Sequence, residues 1–230
     1  VVGYFYPGDV SPGTDQFKSN ERVMFAIDSV MYANASNDGS DLNADWAATD
    51  YWPQTVFSTL AHEFQHMIHF YQKAVVAGAD LYWEPTWVDE LCSMQVEDLL
   101  ADKLGVPGPR GVAPDDGSAG AAGNQFGRFP EYLLWPDVSP LDWDQADSST
   151  VLRYYSWAYS FGAYLTRNYG GASFIRSIVH SATADAGSVA AAASEYSGQD
   201  ETLESLLRRW GAAVLLSGRT DAPEYYRYNS

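Results

Sequence analysis

His62, Glu63 and His66 stand as His-Glu-x-x-His within the run Ser58-Thr59-Leu60-Ala61-His62-Glu63-Phe64-Gln65-His66-Met67-Ile68. On an α-helix, side chains four residues apart share one face at about 6 Å, so His62 and His66 can aim ring nitrogens at a single metal ion. Glu63 projects beside them, where a carboxylate can take a proton from a metal-bound water and hand it later to a leaving amine. Zinc in such a site lowers the pKa of its water to about 7 and polarises a carbonyl. A five-residue pattern also arises by chance on amphipathic helices. Two features argue against chance here. Leu60, Phe64, Met67, Ile68 and Phe70 keep the segment in a largely buried helix, where unpaired imidazoles are costly, and three of the four histidines lie in it.

A catalytic zinc needs three protein ligands and one open position. His69 shares the face of His62 and His66 but sits about 4.5 Å of rise beyond His66, which makes it a packing or rim residue. Positions 69 and 72, His and Gln, break the His-Glu-x-x-His-x-x-Gly-x-x-His pattern of the metzincins. Glu90 is the better third ligand. It lies in Trp87-Val88-Asp89-Glu90, 24 residues after His66, an interval that suits a helix, a turn and an antiparallel return. Without the histidine pair, Glu90 would be an ordinary first-turn glutamate favoured by the helix dipole.

The elements that position these residues follow from pattern. Residues 1–6 and 22–32 are rich in β-branched and aromatic side chains, bounded by Pro7-Gly8 and Pro12-Gly13, and read as strands. Pro53 opens a helical pattern that runs to about Ala77 and stops at Gly78. A second helix starts after Thr86, a cap with Asp89 three residues on, and ends at Gly105 and Pro107. Residues 106–149 are Gly-, Pro- and Asp-rich with little periodicity, and read as a substrate-side loop or an insertion. Helical patterns return over 150–168, 172–182, 189–196 and 201–216, the last after an Asp200 cap. The expected division is thus an N-terminal lobe, 1–105, carrying the zinc site, the irregular 106–149, and a helical lobe, 150–230.

Composition narrows the function. The chain has 230 residues, 46% of them hydrophobic, enough for a full core. Thirty acidic against 13 basic residues give a net charge of −17, which repels nucleic-acid phosphates and anionic membranes. No apolar run is long enough to span a membrane. The single cysteine, Cys92, excludes an internal disulfide framework and reads as a small buried hydrophobe. The chain begins at Val1 with no signal-like pattern, so a mature or excised segment is expected.

The run 58–68, with Thr86-Trp87-Val88-Asp89-Glu90 and Glu97-Asp98-Leu99, resembles the hyicolysin family of bacterial neutral metallopeptidases. The segments Ser19-Asn20-Glu21-Arg22, Met24-Phe25-Ala26-Ile27-Asp28 and Leu206-Leu207-Arg208-Arg209-Trp210-Gly211 are similar to that family as well. The resemblance is sharpest over 58–100 and weakest over 106–149. It implies a gluzincin fold and a secreted or envelope-exposed bacterial zinc peptidase. A more distant likeness is to the aminopeptidase-N-like gluzincins, in which a glutamate follows the third ligand by seven residues, as Glu97 follows Glu90. In those enzymes a tyrosine in a Tyr-x-x-Gly-Ala helix start stabilises the oxyanion, and Tyr159-Ser160-Phe161-Gly162-Ala163 matches that spacing. His180 is the thermolysin-like alternative. The amine-capturing Gly-x-Met-Glu-Asn segment of the aminopeptidases is absent, which favours an endopeptidase. Position 94, where thermolysin-like enzymes place an aspartate that orients a zinc histidine, is Met, so Glu97 or a backbone carbonyl must do that work.

The resulting expectation is an α+β, zincin-like fold: a small mixed sheet on the zinc-site helix, a helical C-terminal lobe, and a cleft between. A protein or peptide substrate would lie extended along an edge strand at 23–30, cleaved by a zinc-bound water with Glu63 as base. Asp41, Asn43 and Asp45 offer alternating oxygens of the kind calcium uses, or simply an acidic solvated loop. Three other readings stay open: a binding protein on a peptidase scaffold, a zinc aminopeptidase, and a zinc hydrolase of non-peptide bonds.

Overall fold

The segment around His62 folds as a 20-residue helix, α1 (Tyr51–Phe70), with Pro53 inside its first turn. The structure, a computed structural model, describes residues 3–15, 19–27, 51–78, 84–105, 108–110, 127–139, 141, 143, 147–216 and 218–228. The Asp41, Asn43 and Asp45 loop and residues 28–30 of the expected edge strand lie outside the described residues.

α1 continues into a π-helical stretch, Tyr71–Val76, closed by Ala77 N donating to Gln72 O at 2.9 Å. This wider turn carries Lys73 inward. Its side chain is only 2% exposed, and Nζ donates to Ser181 O at 3.1 Å and Thr183 O at 2.7 Å. A buried ammonium is costly unless its donors are used; here they tie the end of α1 to the C-terminal half.

The second helix, α2 (Thr86–Leu104), ends at Gly105 as expected. Its start differs: Thr86 is the first helical residue and makes no cap bond, because Pro85 holds the cap position and its carbonyl accepts from Val88 N at 2.9 Å. α2 is buried nearly all round, lying between α1 and the later helices. Its apolar residues Val88, Leu91, Cys92 and Met94 belong to the main core.

Part of the irregular stretch is ordered helix. α3 (Arg128–Leu134) is seven residues long and contains Pro130, too short and too broken for a period to be legible. The helices α4 (Val151–Asn168), α5 (Ala172–His180), α6 (Asp185–Ser197) and α7 (Leu203–Leu216) fall close to their expected places. α7 is capped by Thr202 rather than Asp200: Thr202 Oγ1 accepts from Ser205 N at 3.1 Å while Ser205 Oγ accepts from Thr202 N at 3.0 Å, a reciprocal box. The core between these helices is aromatic, with Trp157, Phe161 and Trp210 at centroid separations of 4.8 to 5.3 Å.

Among the described residues the sheet has two short strands. Among the described residues, β1 (Gly3–Tyr4) and β2 (Ala26–Ile27) form one antiparallel pair on α1, with Gly3 opposite Ile27, and no parallel pairing makes it mixed. The described residues are therefore mostly helical with a two-stranded sheet, compatible with an α+β class. No described helix is long and apolar enough to cross a membrane.

Candidate metal centre

α1 and α2 pack antiparallel with two polar stripes face to face. Ser58, His62, His66 and His69 recur at helical spacing on α1 and meet Asp89, Glu90, Ser93 and Glu97 on α2. Burying so many polar groups between two helices costs free energy unless each finds a partner. Nearly all do. Glu97 accepts from Ser58 Oγ at 2.6 Å and lies 2.5 Å from His62 Nδ1. His66 Nδ1 lies 2.9 Å from Asp89 Oδ2 and 3.1 Å from Ser93 Oγ. The other oxygen of Asp89 is 3.0 Å from His69 Nδ1, whose Nε2 in turn is 2.8 Å from Glu84 Oε2.

These contacts fix the histidine tautomers. A carboxylate beside each Nδ1 keeps the proton there, so both Nε2 atoms present lone pairs. They face each other at 2.9 Å, with Glu90 Oε2 at 3.1 Å from one and 3.6 Å from the other. Glu90 Oε2 is itself buried without a hydrogen-bond donor. Three electron-rich atoms within 4.8 Å of one another repel unless a cation lies among them, and two imidazoles with one carboxylate are a donor set zinc accepts, with a fourth position left over. The residues present therefore fit a metal ion. The electrostatics agree: burial alone would lower the titration of His62 and His66, yet Glu97 and Glu90 raise the first well above its usual range and Asp89 raises the second. The cluster holds a positive charge by preference.

Glu63 stands beside this cluster, buried, with its carboxyl held above the usual range by desolvation and pulled back by His62, His66 and the Phe5 backbone amide. Strand β1 approaches α1 here at a glycine. A Cβ on Gly3 would meet Thr59 Cγ2 at 2.9 Å and Glu63 Cγ at 3.2 Å. Gly3→Ala is thus expected to destabilise the chain by about 1–3 kcal/mol through overpacking, measured by urea denaturation; an unchanged midpoint would mean that β1 does not hold Glu63 in place.

The structure brings His62, His66, Glu90 and Glu63 together and leaves the two oxyanion candidates elsewhere. Tyr159 is 1% exposed and donates to Asp98 Oδ1 at 3.0 Å on the core side of α2. His180 is exposed at the end of α5 and lines a separate cavity with Gln65, Val96 and Ile175. The phenol that reaches the cluster is Tyr155, one turn earlier on α4, which donates to Glu90 Oε1 at 2.7 Å. Burial and the Glu90 charge push its pKa far up, so it stays a proton donor. α4 comes this close because Gly162 lets it: a Cβ there would meet Leu91 Cγ and Gln95 Nε2 at 2.8 Å. Glu97 lies against His62 as expected from the missing aspartate at Met94. Asp89, read in the sequence only as a first-turn acid, is the partner of His66; the stripe periodicity of α2 was the signal for it. His69 is packed, not on a rim, and braces Asp89.

Two antiparallel helices that bring two imidazoles and a carboxylate to one point, with a second carboxylate beside them, make the kind of centre found in metal-dependent hydrolases. Residues 1–109 match the model of the family described as Peptidase M30. Over 105 residues the chain is 32% identical to the neutral metalloprotease ShpI of Staphylococcus hyicus, an alignment that takes in 44% of this chain and 20% of that protein. The chain thus spans about a fifth of the length of this curated relative. The resemblance to the hyicolysin-type neutral metallopeptidases is borne out over these first 109 residues, which include every member of the metal cluster and Glu63.

Proposed function

We propose that the chain is the catalytic part of a zinc-dependent peptidase with a zincin fold, an endopeptidase, in which residues 1–105 and 150–230 form the two lobes of one unit and 106–149 lies on the substrate side. The observation that carries this reading is the convergence of His62 Nε2, His66 Nε2 and Glu90 Oε2 within 4.8 Å, each imidazole backed by a carboxylate. These three atoms would hold the zinc ion. When bound, zinc supplies an acidified water and a polarised carbonyl.

The chain's own residues do the rest. Glu63, in a buried position that keeps its carboxylate basic, takes the proton of the attacking water and delivers it to the leaving amine. Tyr155 takes the role that the resemblance implied for Tyr159, with His180 as the alternative: its hydroxyl, already beside Glu90, can turn to the oxygen on which charge develops. Glu97 and Asp89 keep the protons of His62 and His66 on Nδ1, so that the Nε2 lone pairs face the site. The missing amine-capture segment supports cleavage within a peptide rather than from its amino end. A secreted or envelope-exposed location fits a peptidase with a net charge of −17 and no dependence on disulfides.

The test is metal content with activity. One zinc per chain is expected after dialysis, with casein or a quenched peptide cleaved, cleavage lost on chelation and regained with zinc. Zinc absent, or zinc present with no peptide, ester or amide cleaved, would overturn the reading in favour of a binding protein.

A further inference from the structure

α3 begins at Arg128, and its guanidinium lies over the ring of Tyr155, with Cζ 5.1 Å from the centroid. Tyr155 contacts Glu90, and the charge of Arg128 is also felt by Glu97. Arg128 therefore stands beside the two acidic residues that hold the His62 side of the metal cluster. Arg110 ends on Asp102 at 2.8 Å and Arg167 on Asp98 at 2.9 Å, whereas Arg153 lies over the Trp135 ring on the outer part of α4 and α3. Among the described residues, the Arg128 guanidinium makes no salt bridge and rests on the Tyr155 ring. That is notable in a chain with 30 acidic residues and 13 basic ones.

Stacking on an aromatic face holds the flat side of a guanidinium and leaves its N–H fork at the edge, the geometry that grips a carboxylate with two parallel bonds. Around the cluster Glu63, Glu84, Asp89 and Glu90 would repel a substrate carboxylate, and the Lys73 ammonium that shares the adjacent cavity is spent on Ser181 O, Thr183 O and Glu84. Arg128 is a cation beside the cluster with no carboxylate partner among the described residues, and so suits an anionic group on the substrate. We propose that Arg128 is a specificity-determining residue that pairs with a substrate carboxylate close to the scissile bond. The proposal rests on the peptidase reading and narrows it to peptides carrying either an acidic side chain or a free terminal carboxylate at that point.

The experiment uses the zinc-loaded chain and four quenched peptides: one with an internal Glu next to the cleaved bond, its Gln counterpart, and a short peptide ending just beyond that bond as the free acid or the amide. Charge-assisted pairs of this kind give about 10- to 100-fold discrimination. We expect such a preference in kcat/KM, carried mainly by KM, for the Glu peptide or for the free acid, and the pair that shows it identifies the source. In Arg128→Ala the ratio should collapse to about one, and in Arg128→Lys it should partly return. No preference in the wild type, or a ratio unchanged in Arg128→Ala while all rates fall together, would overturn the proposal and leave Arg128 as a brace for Tyr155. If no peptide is cleaved at all, the peptidase reading fails. Anisotropy of the labelled peptides on the Glu63→Gln variant then judges Arg128 separately: a carboxylate preference lost in the double variant with Arg128→Ala upholds the pairing, and equal binding rejects it.

Discussion

Glu63→Gln is expected to lower peptide cleavage by about 10³-fold, within the range that removal of a general base produces, while zinc stays bound at one ion per chain. The two readouts separate because Glu63 lies beside the metal cluster and not in it: the three converging atoms belong to His62, His66 and Glu90. Glutamine has the shape of glutamate and keeps an oxygen toward the Phe5 amide, so packing against Gly3 and Thr59 is preserved. What it loses is the ability to take a proton. Burial matters to the size of the effect, since a carboxylate raised above its usual range by desolvation is a better base than an exposed one. Cleavage retained in this variant would mean that another group takes the proton. Zinc lost with activity would make Glu63 a ligand.

The parts of this site that were legible in the sequence are those fixed by local geometry. His62 and His66 are one turn apart on one helix, so their convergence needs no tertiary information, and Glu63 comes with them. Glu90 needed one assumption, an antiparallel return, which the short connection between α1 and α2 makes natural. Asp89 and Tyr155 required more. Asp89 has the type and place of a helix-start acid, and only the His66 and His69 rings opposite it show that its carboxylate is spent across the interface rather than on its own backbone. The choice between Tyr155 and Tyr159 depends on where α4 crosses α2, a point set by the contact of Gly162 with Leu91 and Gln95 and invisible to any count of spacings. The fold divides in the same way. The long helices followed from periodicity, whereas α3 has seven residues with a proline among them and Arg128 at its head, and its place beside the site is purely tertiary.

The two tyrosines should part company when each is replaced by phenylalanine. Tyr155→Phe removes the phenol that donates to Glu90, and a fall in kcat of about 10²-fold is expected with little change in stability, the size seen when one oxyanion donor is removed. Tyr159→Phe should leave cleavage near wild type and cost about 1 kcal/mol, the worth of a hydrogen bond whose acceptor keeps other partners, because Asp98 still receives Arg167 at 2.9 Å. The larger loss belongs to Asp98→Ala. Asp98 is buried and gathers Tyr159, Arg167 and Arg110 from two other parts of the chain. Removing one partner of a buried charge cluster costs about 3–5 kcal/mol, and since Arg167 and Arg110 keep some access to water, about 2–4 kcal/mol is expected here. In a chain of this length that lowers the melting temperature by roughly 5–15 °C. An Asp98→Ala protein of unchanged melting temperature would mean that this cluster does not hold α4, and a folded Tyr159→Phe variant without activity would place the Tyr159 phenol at the reacting carbonyl after all. Otherwise α2 serves two ends on two faces: Asp89, Glu90 and Glu97 shape the metal cluster against α1, and Asp98, one residue on from Glu97, locks α4 in the position from which Tyr155 reaches Glu90.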